Sequence, residues 1–217
     1  MMKLLIALVA AAVMVMPSVA SANVLGDSGF EGTGAGPWIS DNWGGPWTND
    51  YDATDQIHAG AQSLKQVANG TNVLNKWEKA EAKQIFAVQP GDVVNGGVWM
   101  KWANISNAEA FLESKWLNAS QAELGSGIGT VHKTSGSGDW EFQDLGTWTE
   151  AQRTAPVNAA YVDYRLVFLS AGNADIATGT VWFDDANFTV IPEPTSMLLL
   201  GSGLIGLFGF CRKKLTK

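Results

Sequence analysis

Residues 85–102 read IFAVQPGDVVNGGVWMKW. The apolar run Ile85 to Val88 leads into Pro90-Gly91-Asp92, where proline fixes its own φ and glycine admits the conformations of a tight turn. Beyond the turn, Val98, Met100 and Trp102 alternate with Trp99 and Lys101. A repeat of two residues sends successive side chains to opposite faces, which is the signature of a strand with one inner and one outer face.

The same alternation recurs outward from this stretch. Residues 158–170 set Val162, Tyr164, Leu166 and Phe168 on one face and Asp163 and Arg165 on the other. Residues 180–190 set Trp182, Asp184, Ala186, Phe188 and Val190 on one face, which places Asp184 on an apolar stripe. Residues 109–117 read as a strand with Phe111, Glu113, Lys115 and Leu117 opposite Leu112, Ser114 and Trp116; a helix over 108–116 is the competing reading. Residues 23–55 are rich in Gly, Trp and Asp, and strand is expected there only around Val24 and Leu25. Short strands with turn signals and no interleaved helices predict an all-β, two-sheet sandwich.

Both ends differ from this central part. Lys3, the apolar run 4–15 and the small-x-small sequence Ala20-Ser21-Ala22 predict a signal peptide helix over 1–22 and therefore export. Residues 191–217 read IPEPTSMLLLGSGLIGLFGFCRKKLTK. Two prolines cannot sit in a continuing strand or helix. The uncharged run 195–210 would span about 24 Å as a helix, short of a ~30 Å hydrocarbon core. Arg212, Lys213 and Lys214 follow at once, and basic side chains at a helix end reach the headgroups and predict a cytoplasmic C-terminus. The expectation is a single transmembrane helix. Its order, Pro192-Glu193-Pro194, apolar helix, basic end, resembles the PEP-CTERM sorting signal of exported Gram-negative bacterial proteins. That resemblance implies an exosortase-type membrane protease as partner, transient anchoring in the inner membrane, and a destination at the cell surface or extracellular matrix. An ordinary stop-transfer anchor is the alternative.

The expected domain, 23–190, is single by length. Setting aside Lys3, Glu193 and the four basic tail residues leaves nine basic against twenty acidic side chains, a net charge of −11. Such a surface repels polyanions and excludes nucleic acid as a partner. The lone cysteine, Cys211, lies in the tail, so no disulfide is available to the domain. Enzyme signals are poor: His58 and His132 stand in unrelated contexts, and no G-x-S-x-G or H-E-x-x-H is present. The letters of G-x-G-x-x-G at 201–206 fall in the apolar tail without a βαβ unit, which removes their nucleotide reading.

All ten tryptophans lie in the domain. Trp38, Trp43, Trp47 and Tyr51 share a Gly- and Pro-broken loop with Asp41, Asn42, Asn49, Asp50 and Asp52. Flat rings stack on the apolar faces of sugars while Asn and Asp bond hydroxyls, so this set is the candidate carbohydrate site; the other reading is a cap on the sandwich core. Trp77, Trp99, Trp102, Trp116 and Trp148 are further candidates, with core packing the default on strands.

Gly29-Phe30-Glu31, His58-Ala59-Gly60 with Ser63-Leu64-Lys65, Gln89-Pro90-Gly91-Asp92 and Trp182-Phe183-Asp184-Asp185 form an ordered set. Together they resemble the jelly-roll carbohydrate-binding modules of the cellulose- and xylan-binding type, within the galactose-binding-like superfamily. The resemblance implies a jelly-roll β-sandwich and one structural calcium ion between Glu31 and Asp184, with Asp185 a second ligand candidate. A hard cation wants such oxygens. The alternative is an Asp184 that accepts hydrogen bonds. The expected function is non-catalytic binding of extracellular polysaccharide; a purely structural or adhesive surface protein is the second reading, and a polysaccharide hydrolase or lyase the third.

Overall fold

The computed structural model describes residues 22–42, 47–69, 78–170 and 176–192. Its strands are β1 (Ile39–Ser40), β2 (Thr48–Ala53), β3 (Ser63–Asn69), β4 (Lys79–Ala87), β5 (Val93–Ser106), β6 (Ala108–Leu117), β7 (Ile128–Gly129), β8 (Gly136–Asp144), β9 (Tyr161–Ser170) and β10 (Thr178–Ile191). A 3₁₀ turn, Leu145–Thr147, is the only helical element among the described residues. Two five-stranded sheets face each other, one in the order β1-β4-β9-β6-β7 and the other β2-β3-β10-β5-β8. The chain crosses between them at nearly every step; only β2–β3 and β6–β7 are consecutive partners. The result is the all-β two-sheet sandwich that alternation predicted.

The core lies between the sheets. Val94, Val98 and Met100 of β5, Leu112 of β6, Tyr164, Leu166 and Phe168 of β9, and Phe183 and Phe188 of β10 have no measurable exposure. The Tyr164 hydroxyl, fully enclosed, donates to the Gly97 carbonyl at 2.7 Å, so its polar tip is satisfied inside the core. β6 is a strand and not a helix. Its register with β9 runs unbroken from Ala108↔Ser170 to Leu117↔Tyr161, and the pairing supplies both a backbone ladder and a buried face. Asn107, at φ 52, makes the one-residue corner between β5 and β6.

Two expectations are corrected. In β10 the face of Trp182 and Asp184 is not that of Ala186 and Phe188. The register slips between Asp184↔Trp99 and Asn187↔Gly97, and Asp185 sits at φ 46. A bulge adds a residue and reverses the alternation, so Val181 and Phe183 point to the core before it, and Ala186 and Phe188 after it. Asp184 therefore lies on the outer face, beside Trp99. In the entry segment, strand occurs at β1 and β2; Val24 makes a backbone bond to Phe188 without belonging to a strand. β10 ends at Ile191, immediately before Pro192. Among the described residues no helix is long and apolar enough to cross a membrane; the predicted signal peptide and tail helix lie outside them.

Candidate functional site

The aromatic loop does not present its rings. Trp38 and Trp47 are each 3% exposed and Tyr51 is 7% exposed. Trp38 stacks on Phe30 at 5.0 Å and donates its indole N–H to the Asp27 carbonyl. Trp47 packs on Phe168, and its indole donates to the Glu78 carboxylate at 2.9 Å. The Tyr51 hydroxyl bonds that of Ser40 at 2.7 Å. These three cap the core, which is the other reading of the loop, because burying so much ring area outweighs leaving it wet. Trp43 lies outside the described residues.

Glu31, Asp184 and Asp185 do meet, around the turn at 58–62. The buried Asp184 carboxylate accepts the N–H groups of His58 (2.8 Å), Ala59 (3.1 Å) and Asp185 (2.7 Å). Glu31 accepts those of Ala61 (2.8 and 3.0 Å) and Gln62 (3.3 Å). Asp185 bonds the His58 imidazole at 2.6 Å, and that ring lies flat on Trp99 at 4.1 Å. Burial pushes the Asp184 carboxyl above its ordinary value, and the N–H groups pull it back only in part. Two carboxylates thus clasp one turn from two sides. Calcium needs oxygens, and here the partners are N–H donors; among the described residues no three His, Cys, Asp or Glu side chains are placed to hold a metal. In this arrangement N–H donors occupy the oxygens that an ion would use.

A pocket of about 330 Å³ opens elsewhere, where the β6–β7 edge meets the segment leading to β9. Trp116, Ser126, Gly127, Ile128, Trp148, Gln152, Thr154 and Pro156 line it. Trp116 and Ile128 are buried, while Ser126, Gln152 and Pro156 are exposed. Trp148 is anchored by its indole N–H on the Gly129 carbonyl at 2.6 Å, and Arg153 ties the Trp148 and Val94 carbonyls together. The sequence contained part of this signal, since Trp116 and Trp148 were both candidate rings. Trp148 stands outside the strands, where ring exposure is less costly.

An ion network holds one wall of that pocket. Asp163 and Arg165 of β9 face away from the core, yet they are 1% and 8% exposed. Arg165 pairs with Asp163 and reaches Glu123 at 2.9 Å; Lys115 also reaches Glu123 at 3.0 Å. Glu123 belongs to the loop 118–127, whose far end supplies Ser126 and Gly127. A second network joins Asp41 and Glu81 to Lys79 and Lys83 on the same face. Burial raises the carboxyls of Glu113 and Asp163. Glu123 behaves oppositely: burial would raise it, but the hydrogen bonds from Lys115 and Arg165 outweigh that and hold it below its ordinary 4.5. A depressed carboxylate contributes its bonding above the unfolded value and loses it as pH falls through the lower folded value. Protection factors of the amides at 118–127, taken relative to intrinsic exchange at each pH, are therefore expected to be unchanged at pH 5–7 and to fall below about pH 4. A profile that does not respond to acid would remove Glu123 as the clamp.

The fold is an all-β two-sheet sandwich, and solved structures share it. The CBM22-1 xylan-binding domain of Paenibacillus barcinonensis Xyn10C superposes with a TM-score of 0.53 at 12% identity, over 81% of this chain and 99% of that one. TmCBM61, solved with β-1,4-galactotriose, gives 0.50 at 16% identity, over 80% and 100%. The enzymatically active domain of bacteriophage CBA120 tailspike protein 4 gives 0.53 at 14% identity; the match covers 78% of this chain but 21% of that one. Identities this low establish the fold. Residues 190–213 match the PEP-CTERM protein-sorting motif, which includes Pro192, Glu193, Pro194, Arg212 and Lys213; all but Pro192 of these, like Lys214, lie outside the described residues. No curated protein matches the sequence.

Proposed function

We propose that this is an exported protein whose sandwich binds saccharide without catalysis and whose tail directs it to the cell surface or matrix. The observation that carries the binding reading is the pocket that half-buried Trp148 lines, with the buried Trp116 and Ile128 on its inner side and a polar rim. The Trp148 indole matches the C–H face of a sugar ring, and the Ser126 hydroxyl and the Gln152 amide N–H groups face its hydroxyls; the Gln152 amide oxygen accepts from Thr149 and the Thr154 hydroxyl donates to the Glu150 carbonyl. The site therefore moves from the loop of Trp38, Trp43, Trp47 and Tyr51 to the pocket of Trp116 and Trp148. Known proteins of this fold include xylan- and galactose-oligomer binders, which supports the same reading. The sorting motif supports an exosortase-type protease as processing partner and a transient stay in the inner membrane.

Retention on a broad panel of immobilised glycans tests the binding. Retention on at least one is expected, whereas none across the panel favours a purely structural or adhesive role. Release of reducing sugar from a retained glycan would revive the hydrolase or lyase reading, which the tailspike likeness keeps in view. Intact-mass analysis of surface protein is expected to show chains ending near Pro194. Recovery of chains ending at Lys217 would count against processing.

A structural calcium at Glu31, Asp184 and Asp185 is the competing proposal for the clasp of the 58–62 turn. It requires carbonyl oxygens to replace the N–H partners seen there. The N–H clasp predicts a melting temperature unaffected by excess chelator; a fall of several degrees, reversed by calcium, would establish the ion instead.

A further inference from the structure

We infer that the pocket takes about one or two rings of a neutral polysaccharide, and not a longer run or an acidic sugar. The inference rests on the saccharide reading above and names its ligand class.

The first ground is charge. None of the eight lining residues is ionisable, on a domain that carries −11. Arg153 spends its guanidinium on the Trp148 and Val94 carbonyls, and Lys115, whose side chain lies against Gly127, is paired with Glu113 and Glu123. A uronate entering the pocket would lose water without gaining a cation, which costs free energy, and the field of the domain opposes its approach. A neutral ring meets neither cost.

The second ground is size and shape. A volume of about 330 Å³ lies at the small end of ligand sites, which run roughly 300–1,000 Å³. Trp116 and Ile128 are 7% and 5% exposed and form its buried side, while the polar groups sit on an open rim. A shallow site of this size covers about one or two sugar rings. The wall is also close-set. A Cβ at Gly127 would lie 2.6 Å from the Ser114 carbonyl oxygen and 2.8 Å from Lys115, so only glycine lets this segment lie against β6.

The test is calorimetric titration of the full chain, held in a detergent without a sugar headgroup. Neutral β-1,4-linked gluco-, galacto- and xylo-oligosaccharides of one to six units are compared with oligogalacturonates. For a neutral series that binds, affinity is expected to rise by about tenfold at most from one to two units and then stay flat. Uronates should bind at least about tenfold more weakly. Gln152→Glu, which keeps the oxygen that accepts from Thr149 but loses the amide N–H groups, should weaken binding, and Gly127→Ala should weaken it by displacing the wall. Affinity that climbs through four and six units would overturn the limit of one or two rings and leave the saccharide reading standing. A preference for uronates would overturn neutrality. Absence of binding to every sugar would overturn both this inference and the reading beneath it.

Discussion

Replacing Trp148 by alanine is expected to abolish saccharide retention, with a loss of at least about 2 kcal/mol, or roughly thirtyfold in affinity. Trp148 forms one wall of the pocket, and its orientation is fixed from two directions: the indole N–H sits on the Gly129 carbonyl, and its own carbonyl accepts from Arg153. A ring immobilised before the ligand arrives gives its stacking energy with little entropy cost. Trp148→Phe keeps a flat face but drops the N–H, so an intermediate loss is expected. Near-UV circular dichroism and melting separate loss of ligand from loss of fold. Retention by a folded Trp148→Ala chain would place the sugar elsewhere.

Arg165→Met is expected to cost about 3–5 kcal/mol of stability, because it strands the Asp163 carboxylate, 1% exposed, without its cation. For a domain of this size that lowers the melting temperature by on the order of 10 °C. The companion change Asp163→Leu in the Arg165→Met background should recover much of the loss, since an apolar pair removes the unpaired charge. The double variant should still bind sugar more weakly, as Glu123 would keep only Lys115 and the 118–127 wall would loosen. Equal melting temperatures for wild type and Arg165→Met would show that this network is not structural.

These effects follow from placements that the sequence reveals unevenly. The alternation of Val162, Tyr164, Leu166 and Phe168 could be read directly, because β9 is central and straight and one face meets the core along its whole length. β10 misled because its bulge at Asp185 carries no composition signal; it falls just past Phe183, where the β3 pairing ends and the β5 register slips. Trp38 and Trp47 misled for a different reason. A tryptophan in a Gly-rich loop has the same letters whether it faces sugar or core, and only the partners Phe30 and Phe168, far off in sequence for Trp47, decide between them. The pocket was hidden because three separate segments build it, around 116, 126–128 and 148–156. The clasp was half legible: the carboxylates were identified, but the N–H groups they hold belong to a turn whose approach only the fold defines.

The central claim, that sugar is held at the Trp116–Trp148 pocket, is tested most directly by two-dimensional NMR of the ten indole N–H signals. They are followed while a neutral oligosaccharide retained on the glycan panel is added. Shifts confined mainly to Trp148 and Trp116, with Trp38 and Trp47 unmoved, are the predicted result. Shifts centred on Trp43, Trp99 or Trp140 with these two unmoved would contradict it.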